Sequence, residues 1–166
     1  VGSRQRRITG DQFDNFSVDF ECENGVHFHS MCRQIDGCSN KIGEEIFGTK
    51  GSWNSFDHEI KDLDGNVIWK YDAEAQEKIY KLHDPYTLEH VDGINHIRRG
   101  EGHDEATGCA MSCLAGIMGR EAAYTGKTIT WDEMSQSELS IVPENPQMGP
   151  MDMSKYKVPV PGEAQQ

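Results

Sequence analysis

The beginning of the chain alternates between apolar and polar residues with the period of a β-strand. Residues 16–23 read Phe-Ser-Val-Asp-Phe-Glu-Cys-Glu, which predicts a strand with one buried face. Asn24-Gly25 follows and is a strong hairpin signal, and a second strand is predicted over residues 26–34. We therefore expect an antiparallel hairpin near the start of the chain.

The length of the hairpin loop decides which side chains share a face. A two-residue loop would send the two apolar stripes to opposite faces, whereas a three-residue loop over residues 23–25 places Phe20 opposite Phe28. Because the register of a strand follows burial, we predict the three-residue loop. The apolar face then carries Phe16, Val18, Phe20, Cys22, Val26 and Phe28. The other face carries Ser17, Asp19, Glu21, His27, His29, Met31 and Arg33.

More strands are predicted before the first long helix, over residues 44–49, 53–61 and 66–71. Lys50-Gly51 marks a turn, and Asp64-Gly65 marks a second hairpin. Residues 72–83 are charged and poorly periodic, which indicates a connector that contains at most a short helix.

Capping residues bound the first predicted helix. Asp84 is a suitable N-cap, Pro85 suits the first helical position, and Arg98-Arg99-Gly100 suits the C-terminal end. Its apolar stripe comprises Tyr86, His90, Val91, Ile94 and Ile97.

The second predicted helix spans about residues 104–124, ends before Gly126, and is rich in small residues. Glycine inside a helix costs about 1 kcal/mol relative to alanine, so Gly108, Gly116 and Gly119 indicate close approach to the sheet or to the first helix. Leu114, Ile117 and Met118 are expected to fill the core. Thr130 and Glu133 predict a capping box for a short third helix.

The order of strands before helices favours an α+β fold, with a mostly antiparallel sheet and helices packed on one face. We predict an α+β domain over residues 1–143 and an extended C-terminal arm over residues 144–166, which have proline, methionine and glycine but no periodicity. The arm would lie on the surface of the domain or on a neighbouring subunit.

Composition restricts the partners and the compartment. The net charge is −12, so a nucleic-acid backbone would be repelled, and no apolar run approaches the roughly 20 residues of a membrane span. The five cysteines are odd in number and form no tight pairs, which favours reduced thiols and the cytoplasm. The first residue is Val1. If the protein has a targeting signal, that signal is expected to have been removed or to lie upstream, and the periplasm is the alternative compartment if an export signal exists.

Three stretches contain candidate chemistry. Residues 100–105 resemble the start of a dinucleotide fingerprint, but they follow a helix and end in Glu105, so a helix–helix turn is the preferred interpretation. His27 and His29 share a strand face and could bind zinc, although Cys32 points to the opposite face. Asp92 and His96 are one helical turn apart, and we interpret them as a solvated pair.

Five segments in this order resemble the C-terminal part of Gfo/Idh/MocA family oxidoreductases, in particular the glucose–fructose-oxidoreductase-like branch. They are "NGVHFHSMCRQIDGC", "GTKGSW", "DLDGNVIWKY", "YTLEHVDGINHIRRGEGHDEA" and "LAGIMGREAAYTGKTITWDEM". The resemblance covers about residues 2–145. It implies a C-terminal α+β domain like that of glyceraldehyde-3-phosphate dehydrogenase, which closes a substrate pocket and mediates oligomerisation beside a Rossmann domain that binds NAD or NADP.

The resemblance also implies where the catalytic groups are. The family's Glu-Lys-Pro motif and its proton-transferring histidine are absent from these residues: Glu77-Lys78-Ile79 lacks the proline, and residues 92–96 copy only the spacing of the histidine motif. The catalytic pair and the cofactor site are thus expected upstream. We expect no catalytic, cofactor-binding or metal-binding residue in this chain.

The resulting hypothesis is a substrate-binding and oligomerisation half of an NAD(P)-dependent oxidoreductase that acts on a sugar, a cyclitol or a related polyol. Arg4, Gln5, Arg33 and Gln34 would line the substrate mouth, with surface or subunit contacts as the alternative. One alternative function is a non-catalytic assembly module that dimerises through the face with His27, His29 and Met31. Another is a parent enzyme that cleaves glycosides by transient oxidation.

Overall fold

The computed structural model describes residues 1–8, 10–75, 81, 84–143, 145–150, 152, 154 and 156–163. The chain is α+β with antiparallel strands, as the order of elements predicts, but the described strands form two sheets and not the one sheet that was expected. The strands are β1 (Gly2–Ser3), β2 (Asn15–Glu21), β3 (His27–Arg33), β4 (Glu45–Gly48), β5 (Gly51–Asn54), β6 (Glu59–Asp62) and β7 (Val67–Lys70). The helices whose bounds are described are α1 (Pro85–Arg99), α2 (Ala106–Thr125) and α3 (Trp131–Ser135).

The chain divides into two compact units. The first unit comprises Val1–Cys38 and Glu105–Gln166 and contains the sheet β1-β2-β3 with helices α2 and α3. The second unit comprises Ser39–Asp104 and contains the sheet β4-β5-β6-β7 with helix α1.

The hairpin of the first unit has the predicted register. Phe20 pairs with Phe28, and the N–H of Cys22 donates to the carbonyl of Val26 at 2.9 Å, which leaves a three-residue loop. Gly25 has a φ of 74°, the left-handed conformation that such a loop needs at its last position. The apolar and polar faces of β2 and β3 are therefore the ones expected from the sequence.

Helix α2 packs on the apolar face of this sheet, and one glycine permits the close approach. A Cβ atom built on Gly119 would lie 2.8 Å from Cζ of Phe20 and 3.5 Å from Cγ1 of Val18. The close approach predicted from three glycines is confirmed only at this position, because Gly108 and Gly116 have no atom within 4 Å of such a Cβ. The buried apolar residues of this core are Phe13, Ala123 and Met134.

In the second unit, the strand predicted over residues 53–61 is interrupted. Strand β5 ends at Asn54, whose side-chain oxygen accepts the backbone N–H groups of Phe56 and Asp57 at 2.9 Å each. Asparagine side chains stabilise turns in this way, and a turn over residues 55–58 divides the predicted strand into β5 and β6. The apolar residues Trp53, Phe56 and Ile60 break the two-residue period of a single strand, which agrees with the turn.

Helix α1 has the predicted ends but no buried stripe. The carboxylate of Asp84 accepts N–H groups of Tyr86 and Thr87, and Gly100 adopts the left-handed conformation at φ 68°. No residue of α1 is buried, and Tyr86 and Ile97 are 75% and 77% exposed. The expectation that the helices pack on one face therefore holds for α2 and fails for α1. An apolar stripe becomes core only where another element covers it. The connector predicted over residues 72–83 lies largely outside the described residues.

Candidate functional site

A groove of about 1050 Å³ opens in the first unit between the apolar face of the sheet, helix α2 and the C-terminal segment. The alternation of β2 points Phe16, Val18 and Phe20 into the groove. Gly116 and Gly119 line the helix side, where they add no side chain beyond the backbone. The apolar side chains of β2 therefore form one wall of the groove, and the glycines of α2 make the groove wider.

The C-terminal segment forms another wall of the groove. Residues 156–160 line it, and the N–H of Gly162 donates to the carbonyl of Thr125 at 3.0 Å, just after the end of α2. Gly126 is in the left-handed conformation at φ 72°, and a Cβ atom built on it would lie 3.1 Å from Cβ of Pro161. Residues 156–162 of the predicted arm thus lie along their own unit.

A charged pair at the end of α2 gives the groove a polar edge. Nε and Nη2 of Arg120 lie 2.9 Å from Oε1 of Glu121, and Glu121 is 8% exposed. The Arg120 guanidinium also lies 5.9 Å from the ring centroid of Tyr124, within the range of a cation–π contact. Burial raises the pKa of the Tyr124 phenol, so the hydroxyl stays protonated at neutral pH and can donate a hydrogen bond. The groove can contact an apolar or aromatic surface on one side and hydrogen-bond polar groups on the other.

Asp14 organises the corner of the sheet beside the groove. Its carboxylate accepts backbone N–H groups from Gln5 at 3.0 Å, Arg6 at 2.8 Å and Arg7 at 3.0 Å, and the side-chain amide of Asn15 at 2.9 Å. The hydrogen bond from Arg6 is the largest of several that hold the pKa of Asp14 well below its ordinary value. Asp14 therefore stays ionised at neutral pH and holds the loop between β1 and β2.

The four predicted substrate contacts lie around this corner, outside the lining of the groove. Arg4 donates to carbonyls of its own loop, including Gly10 at 2.6 Å, and the Gln5 side chain donates to Ser3 Oγ at 3.0 Å. The backbone N–H of Gln34 donates to the Asp14 carbonyl at 2.8 Å, and Arg33 pairs with Asn15 at the end of β3. The structure thus brings these residues near one another, and two of the side chains bind within their own loop.

The three predicted interface residues lie on the face of the sheet that points away from α2. His27 Nδ1 is 2.8 Å from Oδ2 of Asp19, and this hydrogen bond raises the pKa of His27. His29 Nε2 is 2.9 Å from Ser17 Oγ, and Met31 is 75% exposed. Cys32 lines the groove on the other face, as the register requires. The thiol that the zinc hypothesis would need is therefore not beside these two histidines.

Three residues of this site were not expected from the sequence: Asp14, Arg120 and Tyr124. Asp14 stands directly before a strand, and the loop that it holds donates through backbone N–H groups, which carry no residue-type signal. Arg120 and Tyr124 are four residues apart on α2, so their shared face could be inferred from helical spacing.

In the part of the chain that the structure describes, no helix has both the length and the apolarity needed to cross a membrane. Comparisons with protein-family models, with curated proteins and with solved structures found no match.

Proposed function

We propose that this chain is the substrate-side and assembly half of an NAD(P)-dependent oxidoreductase of the Gfo/Idh/MocA type, acting on a CH–OH group of a sugar, cyclitol or related polyol. The observation that carries the proposal is the two-sided sheet of the first unit. One face is covered by α2, with a groove beside the contact, and the other carries exposed His27, His29 and Met31. A domain that both shapes a pocket and pairs with a second copy needs two such faces.

The assignment to an oxidoreductase rests on the resemblance of five segments of the sequence to that family. The α+β architecture with antiparallel sheets agrees with the fold that the family implies. Residues 100–105 connect α1 to α2, a helix–helix connection rather than the strand–turn–helix of a dinucleotide site. The coenzyme and the catalytic pair are accordingly assigned to polypeptide outside this chain.

The groove suits a polyhydroxylated ligand. Aromatic side chains such as Phe16 and Tyr124 can pack against the C–H faces of a sugar ring, while Arg120 and Glu121 offer a donor and an acceptor to its hydroxyls. NMR of the isotope-labelled chain during titration with a panel of hexoses and cyclitols tests this step. We expect shifts at the amides that line the groove, and Arg120→Ala should weaken them. Shifts spread evenly over the surface would contradict the assignment.

Titration with NADH and NADPH tests whether the cofactor site lies outside this chain. We expect no tight binding of either dinucleotide to this chain, because the proposal places the cofactor site elsewhere. Saturable binding at micromolar concentration would refute the proposal. Longer chains that include upstream residues encoded by the same gene are the positive control. They should bind NADH or NADPH once a glycine-rich strand–turn–helix is included.

Assembly is tested by light scattering coupled to size-exclusion chromatography. We expect a dimer, and Met31→Glu should shift it to the monomer because a charge would be buried in the interface. Met148→Glu is the matched control, since Met148 is fully exposed and lies outside the sheet. A dimer that survives Met31→Glu would exclude this face. A dimer that forms without any response to polyols would favour the second candidate function, a non-catalytic assembly module that uses the same exposed face.

A further inference from the structure

Three side chains with metal-binding atoms meet at the C-terminal end of helix α1, all within the second unit. Asp92 and His96 lie one helical turn apart on α1, and His103 follows the helix. One ligand atom from each residue lies within 4.8 Å of the other two. From the sequence, Asp92 and His96 are expected to be a solvated pair, and His103 is not expected beside them.

The cap of α1 brings His103 back toward the helix. Gly100 is left-handed, its N–H donates to the carbonyl of Ile97 at 3.1 Å, and the N–H of Glu101 donates to the carbonyl of His96 at 3.0 Å. This cap reverses the chain, and the imidazoles of His96 and His103 stack with centroids 4.5 Å apart and planes inclined by 26°. Two histidines seven positions apart in sequence therefore share one side of the helix end.

The three ligand atoms lie close together but are spaced more widely than the ligands of a bound ion. His96 Nε2 is 3.8 Å from Asp92 Oδ2, longer than the usual limit of about 3.2 Å for a hydrogen bond. Zinc bonds of about 2.0–2.1 Å in a tetrahedron place neighbouring ligand atoms about 3.3 Å apart. Binding of one ion requires these atoms to draw closer and the nearly parallel rings of His96 and His103 to turn relative to each other, since a metal lies in the plane of each imidazole that binds it.

The second nitrogen of His96 faces another carboxylate. Nδ1 is shielded from solvent and makes no hydrogen bond of normal geometry, although it lies 3.2 Å from Oε2 of Glu101. Glu101 is held in place by Nε of Arg99 at 2.8 Å. A histidine that binds metal through one nitrogen typically donates its other N–H to such a carboxylate, which fixes the tautomer and orients the ring. A metal at Nε2 would therefore give Nδ1 a proton to donate to Glu101.

We propose that Asp92, His96 and His103 form a zinc site, with Glu101 as the outer carboxylate that orients His96. Two imidazole nitrogens and one carboxylate oxygen are a donor set that zinc accepts, and three protein ligands leave a fourth position for water. The site ties the loop after α1 to the helix. It is independent of the proposed oxidoreductase function, since its residues lie within one stretch of the second unit.

Calorimetric titration of the reduced chain with zinc chloride tests the proposal. We expect one equivalent to bind, with affinity reduced at least tenfold by His96→Gln and by His103→Gln, and by a smaller factor by Glu101→Gln. His90→Gln is the matched control, because His90 is on the same helix, is largely exposed and lies outside the cluster. It should leave the affinity unchanged.

Two further measurements distinguish the proposed site from zinc binding elsewhere and from an effect of misfolded variants. Cobalt substitution distinguishes the donors, since binding by the five free cysteines would produce a thiolate charge-transfer band that the proposed site lacks. NMR of the unmodified chain should show the ring protons of His96 and His103 shifting together as zinc is added. No stoichiometric binding, a thiolate band, or a loss of binding in His27→Gln/His29→Gln instead of the cluster variants would each overturn the proposal.

Discussion

Gly119 offers the sharpest test of how helix α2 is packed. A Cβ at this position would lie 2.8 Å from Cζ of Phe20, whereas carbon atoms in contact lie about 3.5–4.0 Å apart. In Gly119→Ala the ring must therefore shift by about 0.7 Å or more. Overpacking of this kind costs about 1–3 kcal/mol, while the exchange of glycine for alanine in a helix contributes about 1 kcal/mol. We expect a net change between none and a loss of about 2 kcal/mol in the free energy of unfolding.

Gly116→Ala is the matched control in the same helix, because a Cβ at Gly116 has no atom within 4 Å. It should raise the free energy of unfolding by about 1 kcal/mol, so the two variants should differ by about 1–3 kcal/mol. Urea denaturation followed by circular dichroism measures both. In a Phe20→Leu background the penalty of Gly119→Ala should shrink, since the clashing ring is gone. Equal stabilisation by both variants would refute the packing of Gly119 on Phe20.

Three more predictions follow from contacts of the first unit. Phe13 is 4% exposed, and its ring packs edge-on to that of Tyr124 with centroids 4.8 Å apart. Phe13→Ala should therefore lower the free energy of unfolding, measured by urea denaturation, by about 3–5 kcal/mol. A loss below about 1 kcal/mol would contradict the core position of Phe13. The hydrogen bond with Asp19 raises the pKa of His27 above 6.5. This pair therefore contributes fully to the free energy of unfolding below pH 6.5, and the contribution is lost as the pH rises through the pKa of the folded state. An NMR titration should show Asp19→Asn lowering the pKa of His27, and an unchanged pKa would exclude the pair. The pKa of Asp14 is lowered in the folded chain. Its ionised carboxylate therefore contributes to the free energy of unfolding above the ordinary pKa of 3.8, and this contribution is lost as the pH falls below that value. The difference in urea midpoint between the parent chain and Asp14→Asn should shrink from pH 7 to pH 3, and a constant difference would contradict this account.

Local features could be inferred from the sequence because their causes lie within a few residues. The loop length of the β2–β3 hairpin follows from alternation together with Asn24-Gly25. The ends of α1 follow from Asp84 and Gly100, and the capping box of α3 follows from Thr130 and Glu133. Each of these depends on a backbone hydrogen bond or a φ angle that a nearby residue supplies.

The candidate sites depended on more distant contacts. The sequence led to the hypothesis that Arg4, Gln5, Arg33 and Gln34 line a common mouth, but it did not reveal that Asp14 holds this corner through backbone N–H groups of the preceding loop. Backbone donors carry no residue-type signal, so a hub of this kind is invisible to pattern reasoning.

The sequence by itself determined the α+β class, the hairpin register and the helix ends, because periodicity and capping act over one or two turns of chain. Only the tertiary structure decided which glycine of α2 meets the sheet, that α1 has no buried stripe, and that His103 returns to His96. Burial and convergence of side chains depend on what lies across space from a residue. The path of the whole chain determines which residue is that neighbour, and the adjacent residues in the sequence do not.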